Sequence, residues 1–196
     1  MSNFSFNPHP DLIGRHAFLS ASKYSWLRYD DIKLIETFEN AMNAALGTRL
    51  HELAKECIEL GVKLPRSDKT LNAYVNDAIG YKMKPEQVLA YSANIFGTAD
   101  AISFTKAPRS DEAFRYILRI HDLKNGVTPS KMDQLLIYAA LFLLEYKIRP
   151  SEVFVELRIY QNDEIDIYNP ELEDLVKVMD HVVHCDAIVE RLRSEL

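Results

Sequence analysis

Residues 114–126 read FRYILRIHDLKNG, and this stretch decides the architecture. Its β-branched and aromatic residues predict a strand over Phe114 to Leu123, followed by a polar turn at Asn125-Gly126. Side chains alternate across a strand, so Asp122 and Lys124 project from the same face with Cβ atoms roughly 7 Å apart. A carboxylate there can hold a divalent cation while the ammonium orients a water beside a phosphate, and phosphodiester hydrolysis needs both. Taken alone, the triplet is a pattern that any charged strand can produce by chance.

Upstream, QVLAYSANIFGTADAISF predicts two further strands, about Gln87 to Ala93 and Gly97 to Phe104, and KAPRSDE joins the second to the third as a hairpin loop. Asp100 lies in the second strand, where it can meet Asp122 across the pair and share a cation with it. An aspartate near a turn is more commonly just exposed, so Asp100 draws its weight from its company. Before the strands, LIETFENAMNAALGTRLHELAKECIEL, Leu34 to Leu60, repeats apolar residues every three or four positions and predicts helix. Gly47 either separates two helices or lets a neighbour pack closely. A shorter helix follows over Leu71 to Gly80.

Downstream, Thr128-Pro129-Ser130 predicts a helix start, and KMDQLLIYAALFLLEYK continues it with apolar residues on most faces. EVFVELRIYQN then predicts a fourth strand, and Asn169-Pro170 the cap of a last amphipathic helix. The expected fold is a single α/β domain with a small mixed sheet. Residues 1–80 form its N-terminal helical part, 87–161 the sheet and helix that carry the chemistry, and 169–196 the C-terminal helix.

Composition limits the function classes. With 23 Lys+Arg against 29 Asp+Glu the net charge is -6, which excludes a protein that holds polyanions by bulk charge. Three basic and ten acidic residues fall after position 160, so the body of the domain is close to neutral and can present a basic cleft. Lys23, Arg28, Lys131 and Arg119 are the candidates for phosphate contacts. Two cysteines, Cys57 and Cys185, are too few and too far apart for a thiolate zinc site or a four-cysteine cluster. The start, MSNFSFNPHPDLIGRH, lacks the basic and apolar segments of a signal peptide. The longest apolar run, Leu135 to Leu144, has ten residues, short of the roughly 18 that cross a bilayer, so no membrane span is expected.

Other clusters carry less. In HVVHC, His181, His184 and Cys185 stand about a turn apart with Asp180 nearby, but zinc needs a further converging ligand, and a packed helix is the simpler explanation. NDEID, Asn162 to Asp166, lacks the calcium-loop glycine and is expected to be a solvated turn. Cys57 is expected to be a small buried residue, and Glu52 solvated surface. No GxSxG, Walker-type loop or GxGxxG occurs.

GTRLHE, GTADAI, HDLKNG and QLLIY, spread in this order over Gly47 to Tyr138, resemble the motifs of the RecB-like and YqaJ-like branches of the PD-(D/E)xK nuclease superfamily. The resemblance implies a restriction-endonuclease-like core, α-βββ-α-β, and a metal-dependent deoxyribonuclease using Mg²⁺ or Mn²⁺. It implies that His51, Asp100, Asp122 and the Leu123 carbonyl bind the metal. Lys124 would be the catalytic lysine, with Gln134 and Tyr138 lining the site and placing the DNA strand. Asn125 replaces the usual threonine after the lysine, whereas Gly126 is kept. Lacking four cysteines, the chain resembles the members without an iron–sulfur cluster, typified by phage recombination exonucleases. LSASKYSWLRYD is loosely similar to the opening of such domains. The expected substrate is DNA, single- or double-stranded, in the cytoplasm of a bacterium or a phage-infected host, with a ring-like oligomer or a recombination or helicase partner conceivable. The alternative is an inactive nuclease framework kept as a nucleic-acid-binding or protein-binding module.

Overall fold

The structure, a computed structural model, describes residues 9–12, 14, 16–108, 113–126 and 128–195. The chain divides into two compact units, the first ending at Ala45 and the second beginning at Leu46. The first contains a short 3-10 segment, Ala21–Arg28, and the beginning of α1 (Asp31–Leu60). Trp26 is anchored there by its indole N–H, which donates to the Ser20 carbonyl at 2.9 Å.

The second unit holds the last turns of α1, then α2 (Thr70–Gly80), β1 (Lys84–Ala90), β2 (Phe96–Lys106), β3 (Tyr116–Leu123), α3 (Asp133–Glu145), β4 (Val153–Gln161), β5 (Glu164–Tyr168) and α4 (Leu172–Ser194). The strands form one mixed sheet in the order β1-β2-β3-β4-β5. β3 and β4 are parallel, joined by the α3 crossover, and every other neighbouring pair is antiparallel. The α/β class and the mixed sheet flanked by helices agree with the sequence expectation.

Two cores lie on the two faces of the sheet. On one, α3 inserts Leu135, Tyr138, Ala139, Leu141, Phe142 and Leu143 against Leu89, Leu118, Ile120, Val155, Leu157 and Ile159, and α4 adds Leu175 and Val182. Each large side chain fully removed from water there contributes about 1.5–3 kcal/mol. On the other, Ala54, Cys57 and Ile58 of α1 meet Tyr74, Val75 and Ala78 of α2 above Ala101, Leu123 and Tyr160. Cys57 is thus a small buried packing residue.

Several boundaries differ from the expectation, each for a local reason. α1 runs through Gly47 without a break, and a Cβ at Gly47 would lie 2.6 Å from Asn125 Nδ2, so the glycine serves close packing. β1 begins at Lys84, before the expected Gln87, and includes Pro85, which an outer strand tolerates because one side of it needs no ladder donor. α3 starts at Asp133 rather than near Ser130. The cap expected from Asn169 is absent, because its side chain donates to the Val155 carbonyl at 3.1 Å; α4 begins at Leu172. NDEID is a turn only at Asn162 and Asp163, whose φ values of 53° and 60° suit a two-residue hairpin. Glu164 and Asp166 belong to β5, where they alternate with Ile165 and Ile167. Asp163 also receives the Thr70 N–H at 3.0 Å and the Lys69 ammonium at 2.7 Å, tying the start of α2 to this hairpin. Residues 109–112 of the KAPRSDE loop, positions 1–8, 13 and 15 of the N-terminal stretch, and Val127 lie outside the described residues. No described helix is long and apolar enough to cross a membrane.

Candidate metal and phosphate site

Four elements of the larger unit deliver the expected residues to one place. His51 comes from α1, Asp100 from β2, Asp122 and Leu123 from the end of β3 with Lys124 just beyond it, and Gln134 and Tyr138 from the first turns of α3. The β2–β3 ladder reaches Ala101 opposite His121. One step on, a side chain takes over: Asp100 Oδ2 accepts the Leu123 N–H at 2.9 Å and lies 3.4 Å from His51 Nδ1.

Asp122 is 1% exposed. Its Oδ1 accepts from the Lys124 ammonium at 3.0 Å and its buried Oδ2 lies 2.9 Å from the same nitrogen, so the ammonium sits across both carboxylate oxygens. The ammonium also donates to Gln134 Oε1 at 3.0 Å, and Gln134 Nε2 donates to the Tyr138 hydroxyl at 3.0 Å. One helical turn separates Gln134 from Tyr138, so both face the site. The Tyr138 ring fits because Gly97 faces it: a Cβ there would come within 2.8 Å of Cε1.

One further residue belongs here. The antiparallel register places Pro85 opposite Ala101 and Gln87 opposite Ala99, so Glu86 stands opposite Asp100. Its φ of 50° departs from extended backbone. His51, Glu86 and Asp100 each offer a ligand atom, all within 4.8 Å of one another, and among the described residues no other group of three such side chains converges in this way. Sequence reasoning missed Glu86 because the strand was expected to start one residue later. The usable signal was pairing arithmetic: once Val88 is set opposite Thr98, Glu86 falls opposite Asp100.

Three carboxylates with one ammonium and one imidazole leave the site short of positive charge. Burial, and then the negative charge of Asp122, push the Asp100 carboxyl up to about 6, against the Leu123 N–H, His51 and Lys124, which pull it down. An imidazole with converging carboxylate oxygens, in a site with more carboxylates than cations, is a donor set that fits a small divalent cation.

The other candidates are placed elsewhere. Arg119, three residues before Asp122 on β3 and hence on the opposite face, pairs with Glu156 at 3.2 Å and stacks on Tyr81. Lys131 is exposed on the β3–α3 connection, and Lys23 and Arg28 belong to the first unit. In HVVHC, Cys185 Sγ lies 3.5 Å from His181 Nε2, with no third ligand joining them among the described residues. Comparison of the chain with family models, curated proteins and solved structures finds no match.

Proposed function

We propose that the chain is a metal-dependent deoxyribonuclease with a restriction-endonuclease-like core, acting as an exonuclease in DNA recombination, repair or degradation. The observation that carries this proposal is the buried Asp122, with both oxygens within 3.0 Å of the Lys124 ammonium, beside Asp100, Glu86 and His51.

His51, Glu86, Asp100 and Asp122, with the Leu123 carbonyl, would hold Mg²⁺ or Mn²⁺. When bound, such an ion lowers the pKa of a water and offsets negative charge gathering on the phosphate oxygens. The imidazole favours Mn²⁺, since Mg²⁺ prefers an all-oxygen shell. Lys124 contributes directly. Of its three N–H donors, one goes to Asp122 and one to Gln134, leaving the third for the attacking water or a phosphate oxygen. Gln134, itself fixed by Tyr138, limits the swing of the ammonium, so its charge is already in place as the phosphate charge develops.

The test is a time course on end-labelled linear single-stranded and double-stranded DNA and on closed circles, with Mn²⁺, Mg²⁺ or EDTA, beside Lys124→Ala. Metal-dependent loss of linear DNA that disappears in the variant supports the enzyme, and sparing of circles supports end-directed action. Intact DNA in every metal, with no heat of Mn²⁺ binding in calorimetry, would leave a binding module on a nuclease-like framework.

A further inference from the structure

The connection between β3 and α3 must do something unusual. It leaves the strand at Lys124 and returns in α3 with Gln134, whose side chain meets the Lys124 ammonium. Residues 124–131 belong to no helix or strand, apart from Val127, which is outside the described residues. A stretch of this kind has no backbone ladder of its own to hold its shape.

The β3–β4 ladder reaches Lys124, whose N–H donates to the Tyr160 carbonyl at 2.9 Å. The next β4 residue, Gln161, continues the ladder with its side chain. Its Nε2 donates to the Gly126 carbonyl and, at 2.8 Å, to the Thr128 carbonyl, while its Oε1 accepts the Ser130 N–H at 3.0 Å. Both amide hydrogens and the amide oxygen are therefore spent on the backbone of one short stretch. The side chain is 9% exposed, so water cannot readily replace these bonds. It also bears on why α3 starts late: the Thr128 carbonyl, which would accept the first intrahelical bond of a helix starting there, is engaged by Gln161.

We propose that Gln161 is a positioning residue: its amide holds Gly126, Thr128 and Ser130 where they bring Gln134 to Lys124. Its amide hydrogen bonds go to the connection and not to His51, Glu86, Asp100 or Lys124, so it acts through the connection. The inference rests on the nuclease proposal above for its rate consequence, while the clamp itself can be measured without any reaction.

The experiment uses the full chain and three variants. Gln161→Leu keeps the size of the side chain and removes all three hydrogen bonds. Gln161→Glu retains an acceptor for Ser130 and loses donation to Gly126 and Thr128, and it serves if the leucine variant does not fold. Asp163→Ala, two residues away, releases Thr70 and Lys69 and provides a variant destabilised at the same hairpin. Hydrogen exchange at the Ser130 amide, Mn²⁺ affinity by calorimetry, and kcat and KM on linear DNA are read well below each midpoint of thermal unfolding.

In Gln161→Leu, faster exchange at Ser130, Mn²⁺ affinity close to wild type and a kcat lowered about 10- to 100-fold with little change in KM are expected, as for a reacting group displaced by roughly 1 Å. Asp163→Ala should keep its kcat. Two results would overturn the proposal: an unchanged kcat in Gln161→Leu despite faster Ser130 exchange, or an equal fall in kcat in Asp163→Ala. A wild-type chain that cleaves nothing in Mn²⁺ would instead refute the nuclease proposal, and with it the rate role of Gln161, while Ser130 exchange would still report whether the clamp exists.

Discussion

Two groups of charged residues share β3, one built on Arg119 and its β4 neighbours and the other around Asp122, and they are built on different terms. On the α2 face, Arg158 donates to Glu156 at 3.0 Å and to Asp77 at 3.1 Å. Arg119 shares Glu156, and both guanidinium groups lie over the Tyr81 ring. The Tyr160 hydroxyl donates to Asp77 at 2.7 Å and lies 3.1 Å from His121 Nδ1. Two carboxylates balance two guanidinium groups. Around Lys124, the three carboxylates Glu86, Asp100 and Asp122 outnumber the one ammonium. A balanced network spends its interactions holding the fold, whereas an unbalanced one keeps them for a ligand.

The largest expected effects should separate the two groups by type. Arg158→Leu leaves Asp77 and Glu156 without their shared cation. It should lower stability in urea by on the order of 2–4 kcal/mol, somewhat below the loss for a fully buried pair because Asp77 keeps about a third of its side chain exposed. Its kcat on DNA, measured on folded protein, should not move. Lys124→Ala should do the converse: cleavage falls by about 10²–10³-fold, as for removal of one oriented donor from a reacting oxyanion, with little change in the urea midpoint.

A smaller effect sharpens the comparison by sign. Asp100→Asn removes a carboxylate that the metal-free fold disfavours, so it should stabilise the protein without metal by about 1–3 kcal/mol at pH 8, while abolishing the stabilisation brought by Mn²⁺. The gain must depend on pH. The folded Asp100 carboxyl titrates at about 6 against an ordinary 3.8, so the native state holds the extra proton between these values, and native stability falls as pH rises through that window. The advantage of Asp100→Asn should therefore be full above about pH 6 and vanish below about pH 4, as unfolding curves at four pH values would show.

The least of the effects is a slope. His121, on the balanced face, is held down at about 3 by burial and then by Arg158 and Arg119, so the unfolded chain takes up its proton first as pH falls from 6.5. Its contribution is therefore lost on acidification, opposite in sign to that of Asp100. In Asp100→Asn, where His121 acts alone of the two, metal-free stability should decline more steeply from pH 6.5 toward 4 than in the wild type. Equal slopes would mean that one of these two groups is not held as described.

The α/β class and the three-strand meander were legible in the sequence from the local pattern of their strands, and α3 because its ten-residue apolar run exceeds an ordinary strand. HDLKNG named Asp122 and Lys124 for the same reason: alternation along one strand fixes their common face. What escaped lies where a tertiary partner overrides local preference. Glu86 follows a proline and has positive φ, so nothing in its own neighbourhood reads as strand; only the partner strand assigns it to Asp100. Thr128-Pro129-Ser130 looks like a helix start, but the Thr128 carbonyl is claimed by Gln161. Asn169 looks like a cap, but Val155 holds its side chain. The acidity of NDEID hid the alternation of β5, because composition was weighed there instead of period.

The outer strands have a consequence for self-assembly. A sheet with a free margin can template a strand from another molecule, and long, flat, apolar margins do so most readily. Here β1 presents Pro85, which offers no donor, and a backbone reversal at Glu86, while β5 is five residues long and carries Glu164 and Asp166. Neither margin suits continuation of the ladder into a neighbouring molecule. Copies of this chain that associate should therefore do so through helices or loops, and concentrated protein should resist the strand-on-strand growth that leads to fibres.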